Sequence, residues 1–284
     1  MFELLDGSLV AKVVKDEVKE EVARLRRKNI APKLAVILVG DDSASKIYVR
    51  NKSRACDYCD IEFEEFIFSE NTKKERLRSL IVELNKRSDI NGILVQSPLP
   101  EGLSKEEMFS LVDVSKDVDG LNPVSIGNML IGNPTLKPCT PAGIIKLLEY
   151  YKIDLEGKNV TIIGRSTIVG KPMIACLLEK NSTVTVCHSK TKNIKEHTKN
   201  ADIIISATGR INMVTEDMVK DGVIIVDVGM NRKEDGKLCG DVDFENISKK
   251  AKYITPVPGG VGPMTIAMLM HNIVIATKMQ NKLI

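Results

Sequence analysis

Tyr48 and Lys52, four apart in the string YVRNK, are the first residues whose types and spacing suit chemistry. On a helix this spacing places both on one face, so they meet in whatever cleft that face borders. A lysine serves as general acid or base once desolvation and neighbouring groups lower its pKa, and a phenol can orient it or a substrate. The same spacing is common on solvated helix faces, so the pair by itself decides nothing. Gln96 closes the apolar run GILVQ, an odd place for an amide unless it faces a site. Asp119, in KDVDG, reads equally well as a turn former or as a substrate acceptor. None of the three histidines lies in the first half, which leaves Lys52 as the best-placed titratable group there. Cys56 and Cys59 form a lone C-x-x-C. Zinc would need a second pair at ligand spacing; none is found, so no metal is expected and a packed helix face is the reading.

A second constellation follows in NVTIIGRSTIVGKP: an apolar strand, Gly164, five residues including Arg165, Ser166 and Val169, then Gly170 and a Lys-Pro helix start. Pro172 suits the first helical turn, where its missing N–H costs nothing. Unbonded amides at that helix start would face a pyrophosphate, with the helix dipole adding to the attraction. The spacing is not G-x-G-x-x-G, so an ordinary strand-to-helix turn stays open. Later strand ends carry the small polar or glycine residues Ser206-Ala207-Thr208-Gly209 and Asp227-Val228-Gly229, and doubly wound sheets hold ligands at the carboxyl ends of their strands. The next strand ends in Cys187-His188-Ser189, with no carboxylate to grip ribose hydroxyls, whereas Arg165 could pair with a 2′-phosphate. NADP is favoured over NAD.

The elements that must position these residues alternate. Periodicity and turn signals predict a helix over 10–28, a strand over 32–40, and a helix capped near Asp42 that carries Tyr48, Lys52 and Cys56. A strand over 61–69, a helix over 72–86 and a strand over 91–96 follow, the last stopped by the prolines of SPLP. Residues 117–133 read as loop, and 142–151 as a helix linking the halves. Strands are then expected over 159–164, 183–187, 203–207 and 223–228 and briefly near 253–254, with a helix over 172–180. A Pro/Gly loop over 256–262 and a closing helix over 264–279 complete the chain. This rhythm predicts an α/β fold: two α/β domains with parallel sheets and a cleft between them, the second Rossmann-like. The expected division is 1–140 with a C-terminal helix of about 264–284, against 141–263.

Composition excludes several classes. A chain of 284 residues, 43% hydrophobic and 28% charged, is globular rather than disordered. Its 41 basic and 38 acidic residues give +3, too mild a charge for a nucleic-acid partner, and without tryptophan a base-stacking surface is not expected. The acidic start lacks a signal-peptide pattern, and the apolar stretch over 266–276 is short and broken by His271 and Asn272, so no membrane partner is expected. Six cysteines without a disulfide-framework pattern suit a reducing cytoplasm.

Seven strings in order, YVRNK, VQSPLP, KDVDG, PCTPAG, GRSTIVGKP, CHSKT and PVPGGVGPMT, closely resemble the bifunctional methylenetetrahydrofolate dehydrogenase/methenyltetrahydrofolate cyclohydrolase (FolD) family over essentially the whole chain. The resemblance implies NADP-dependent oxidation of 5,10-methylenetetrahydrofolate, then hydrolysis to 10-formyltetrahydrofolate, in a cytoplasmic homodimer. It makes the first domain folate-binding and catalytic and the second NAD(P)-binding. By motif, Lys52 would carry the hydrolytic proton transfers, Tyr48 would pack on the folate, Gln96 would tune Lys52, and Asp119 would hold the pterin. Pro258, Gly259 and Gly260 would border the folate; Arg165, Ser166 and Ser189 would grip cofactor phosphates, with Gly164, Val169, Gly170, Pro172, His188, Thr208, Gly209, Val228 and Gly229 around them. Ser97 departs from the family, which commonly has an apolar residue there, and is expected to alter packing under Gln96. The competing readings are a monofunctional methylenetetrahydrofolate dehydrogenase, another two-domain NADP dehydrogenase such as one acting on a shikimate-like acid, and a non-catalytic dinucleotide sensor.

Overall fold

The computed structural model describes residues 2–284. In chain order the elements begin with β1 (Glu3–Leu4), α1 (Gly7–Arg26), β2 (Lys33–Val39), α2 (Ser43–Cys59) and β3 (Glu62–Phe68). Next come α3 (Lys74–Lys86), β4 (Gly92–Val95), α4 (Lys105–Leu111), α5 (Pro123–Leu130) and α6 (Cys139–Tyr150). Then follow β5 (Asn159–Ile163), α7 (Gly170–Glu179), β6 (Thr183–Cys187), α8 (Ile194–Thr198), β7 (Ile203–Ser206) and β8 (Ile224–Asp227). A hairpin of β9 (Asn231–Arg232) and β10 (Leu238–Cys239), helix α9 (Phe244–Ile247), β11 (Tyr253–Ile254) and α10 (Val261–Gln280) complete it. Among the described residues no helix is long and apolar enough to cross a membrane.

One compact unit comprises Lys12–Cys139 and Ile266–Ile284. Its sheet is parallel, in the order β3-β2-β4. The central strand KLAVILV is buried from Leu34 onward, as a strand covered on both faces must be. β3, at the edge, mixes half-buried Phe66 and Phe68 with exposed Ile67. Helix α2 starts where the Asp42 carboxylate accepts the Ser45 amide at 2.7 Å, and it buries a stripe that includes Val49, Lys52, Cys56 and Cys59. Residues 117–133 are not all loop. Asn122 accepts the Val124 amide at 2.8 Å, Pro123 occupies the first helical position, and α5 results. The Asn-Pro pair that looks like a breaker is a helix start.

The other unit comprises the residues up to Ala11 together with Thr140–Thr265. Six parallel strands lie in the order β1-β11-β8-β7-β5-β6. The apolar interiors of β5, β7 and β8 pack with Ile247, Ala251 and Ile254 into one buried cluster. The chain start belongs here rather than with the first half, because Glu3 and Leu4 pair with Tyr253 and Ile254 and close the sheet edge. Successive strands β5 and β6 are neighbours, whereas β7 lies on the far side of β5. The carboxyl ends of β5 and β7 are therefore the point where strand order reverses, and open α/β sheets hold ligands at that point.

Candidate active site

In the unit built on β2 and β4, Lys52 comes from the buried stripe of α2 and is 9% exposed. Its Nζ donates to Gln96 Oε1 at 2.7 Å. Gln96 follows β4, and its own amide donates to Ile37 O of the neighbouring β2 at 2.9 Å, which fixes its reach. Nε2 donates to Ser97 O at 2.6 Å, so both ends of the buried amide have a partner. This bond runs to a main-chain oxygen that any residue at 97 supplies. The Ser97 hydroxyl itself is buried with no hydrogen-bond partner.

Burial holds the Lys52 ammonium below the ordinary lysine range, while the negative charge of Asp119 works in the opposite direction. Burial likewise pushes the Asp119 carboxyl up, and Lys52 pulls it back. Burial also raises the thiols of Cys56 and Cys139, so both are neutral packing beside the lysine. The C-x-x-C is inert for the same reason: Cys59 is pushed up to about 11. Tyr48, one turn before Lys52, is half-buried, and desolvation raises its phenol.

Of the two readings of Asp119, the turn former is its neighbour. Asp117 accepts the Leu121 and Asn122 amides at 3.1 and 2.8 Å and the Ser125 hydroxyl at 2.7 Å. Gly120, at φ +69°, completes the turn against the Lys137–Pro138 backbone. Asp119, half-buried, is left beside Lys52.

In the other unit, Gly164 has φ +126°, and a Cβ there would lie 2.3 Å from Ala207 O, so the turns after β5 and β7 touch through backbone. A Cβ on Gly170 would lie 2.3 Å from Gly164 O. These approaches account for the irregular glycine spacing: the two glycines face each other across one turn. The helix start differs from the expected open one. The Val169 and Gly170 amides donate to Ser166 Oγ at 3.1 and 3.4 Å, and the Lys171 amide to Ser166 O at 3.0 Å. Pro172 has no amide proton, and α7 begins two residues earlier than expected, at Gly170. Within this turn, the amides of Arg165, Ser166, Thr167 and Ile168 donate to no protein acceptor. They, not the first turn of the helix, are the donors available to an anion.

His188 accepts the Lys190 amide through Nδ1 at 3.2 Å, which leaves its Nε2 proton to donate, and Ser189 beside it is exposed. Thr208 and Gly209 are already engaged, donating to the buried Asp241 carboxylate. Val228 donates to Ser206 O at 2.8 Å, and Gly229 to Asp227 Oδ1 at 2.9 Å. Pro258, Gly259 and Gly260 lie in this same unit, where the Ser8 amide donates to Gly259 O at 2.9 Å. Lys52, Gln96 and Asp119 thus form one group in one unit, and the nucleotide-loop residues and the Pro/Gly loop lie in the other. The sequence gives no sign of the roles of Asp241, Cys139 and Gly7, since each acts through neighbours remote in sequence.

A parallel sheet with a glycine turn at its reversal point defines the second unit as a dinucleotide-binding α/β unit. Residues 138–281 match the family described as "Tetrahydrofolate dehydrogenase/cyclohydrolase, NAD(P)-binding domain", and residues 5–119 match its catalytic domain. The chain belongs to the tetrahydrofolate dehydrogenase/cyclohydrolase family. Among its relatives, "Bifunctional protein FolD" of Agathobacter rectalis is 51% identical over 278 residues, 98% of this chain and 100% of that protein. The crystal structure of the bifunctional FolD enzyme from Campylobacter jejuni aligns with a TM-score of 0.96 at 50% identity, covering 98% of this chain and 99% of that one. The Trypanosoma brucei dehydrogenase-cyclohydrolase, solved with NADP cofactor and inhibitor, aligns at 0.95 with 36% identity and covers 99% of each chain.

Proposed function

We propose that this chain oxidises 5,10-methylenetetrahydrofolate to 5,10-methenyltetrahydrofolate with NADP, then hydrolyses the product to 10-formyltetrahydrofolate. The observation that carries the reading is the buried Lys52, bonded to Gln96 at 2.7 Å and set beside Asp119. NADP, when bound, supplies the hydride acceptor, and the protein's part in that step is positioning. The residues at the reversal point fit such a group. Four turn amides lack a protein acceptor, and Ser166 Oγ, accepting from two amides, keeps its own proton to donate. Arg165 would pair with the 2′-phosphate, and Ser166, Ser189 and the turn amides would hold phosphate oxygens.

In the hydrolytic step Lys52, whose ammonium burial holds below the ordinary lysine range, takes one proton of the attacking water and returns it to the ring nitrogen as the carbon–nitrogen bond opens, while the remaining carbinol O–H proton leaves to solvent as the formyl C=O forms. Gln96 fixes one direction of the lysine amine. Asp119 holds the pterin by hydrogen bonding, Tyr48 packs on the folate, and Pro258, Gly259 and Gly260 border it. The enzyme works as a homodimer assembled through the Thr140–Thr265 unit and in the cytoplasm, a compartment that suits six unbridged cysteines. Light scattering on a sizing column tests the dimer: a monomer mass at micromolar concentration overturns that part.

An absorbance assay with methylenetetrahydrofolate and each cofactor, following methenyl formation and decay, tests the function. NADP-dependent formation with catalysed decay is expected. No turnover with either cofactor overturns the reading, and formation with only uncatalysed decay reduces it to a monofunctional dehydrogenase. Lys52→Met is expected to lower the hydrolytic rate at least 100-fold while leaving NADP affinity within twofold.

A further inference from the structure

Asp241 lies between Gly240 and Val242, just after β10, and its side chain is fully buried. Six hydrogen bonds converge on it. Oδ2 accepts from Ser206 Oγ at 3.1 Å, from the Thr208 amide and hydroxyl at 2.7 and 2.9 Å, and from the Gly209 amide at 3.3 Å. Oδ1 accepts from the Arg210 amide at 3.0 Å and from Asn231 Nδ2 at 2.9 Å. Five of the six donors belong to residues 206–210, the end of β7 and the turn after it.

A second carboxylate holds the first in place. Asp227, at the end of β8, accepts the amides of Asp241, Val242 and Gly229 at 2.9, 3.0 and 2.9 Å. The close approach needs two glycines: a Cβ on Gly229 would lie 2.1 Å from Asp241 Oδ1, and one on Gly240 would lie 1.9 Å from Asp227 Oδ2. Two carboxylates buried without a cationic partner are a costly way to join two strand ends that apolar packing would join more stably. What a carboxylate does, and a leucine cannot, is hold three consecutive amides of one turn in a fixed curve. That turn is the one whose Ala207 carbonyl abuts Gly164.

We infer that Asp241 is a positioning residue for the dehydrogenase reaction, setting the curve of the Ala207–Arg210 turn against which the bound dinucleotide is seated. The inference rests on the reading that the turns after β5 and β7 receive the cofactor. Asn at 241 cannot replace it: whichever way the amide is turned, an NH₂ meets two or more donors.

The test uses the full-length protein at a temperature where circular dichroism shows each variant folded. Asp241→Asn is expected to raise Kd for NADPH and KM for NADP at least tenfold, with KM for methylenetetrahydrofolate and the hydrolytic kcat within twofold. Ser206→Ala removes one donor only and is expected to raise Kd for NADPH two- to threefold. An unchanged Kd in Asp241→Asn overturns the inference, as does a parallel fall of hydrolysis and cofactor binding, which marks a purely structural role. If Asp241→Asn does not fold, Ser206→Ala decides, and an unchanged Kd there overturns it. Unaltered protein that binds no dinucleotide overturns the underlying reading instead.

Discussion

Two opposed influences act on Lys52: burial disfavours its charged form and Asp119 favours it. Hydrolysis by a lysine base rises as pH passes the lysine pKa, so the pH–rate curve reports that balance. Asp119→Asn removes the restoring charge, and the midpoint of the curve is expected to move to lower pH; a midpoint that stays or rises contradicts the assignment. Asp227 offers a second titration. Burial and the neighbouring Asp241 raise it to about 6, above the ordinary carboxylate value. The folded protein therefore binds the proton more tightly than the unfolded chain, and stability from this group is full at low pH and lost as pH rises through 6. Asp227→Asn sets an NH₂ against at least one of the three amide donors, so its Tm is expected to lie below wild type, with the deficit narrowing between pH 4.5 and 7 by at most about 3 kcal/mol as the native carboxyl ionises. Calorimetry across that range checks it. At this scale Lys52 and Gln96 were legible because an amide at the end of a buried strand needs a partner. The open pyrophosphate site expected at Gly170 was not, since Ser166 closes that helix start with its own oxygens.

Helix starts decide much of the architecture, and the one at Asn122 was misread. Asn122 caps α5 and also donates to Val112 O at 2.9 Å, so Asn122→Ala is expected to cost about 1–2 kcal/mol, read as a lower Tm with unchanged cofactor affinity. Helix α1 begins under a stricter constraint. A Cβ on Gly7 would lie 1.8 Å from Gly260 O, a backbone atom that no rotamer change can move aside. Gly7→Ala is expected to cost about 2–3 kcal/mol and to raise KM for the folate substrate more than KM for NADP. Equal effects on both would detach Gly7 from the Pro/Gly loop. The strands were legible from apolar runs such as KLAVILV, where burial on both faces leaves no alternation to misjudge. The short elements β1, α8, α9 and the β9–β10 hairpin were not, because two to five residues carry too little periodicity and owe their form to tertiary partners.

Each unit repeats one strand arrangement: β2 sits between β3 and β4, and β5 between β6 and β7. Lys52 and Gln96 arise beside the first reversal point, and the glycine turn arises at the second. The two chemistries thus rest on separate frameworks, which is why cofactor affinity and hydrolysis are expected to respond to different substitutions. The restarting β/α rhythm predicts a division near 140, and the compact units change over between Cys139 and Thr140. The strand pairing of Glu3 and Leu4 with Tyr253 and Ile254 leaves no local mark in the sequence. That pairing also orders events in time. Ser8 and Gly259 are separated by 251 positions, so a ribosome releases the first segment long before its partners exist. Contacts this distant are closed late, after local structure has formed. The Ser8 segment therefore waits for residues made 251 positions later, and the Pro/Gly loop takes its final form only when the two meet.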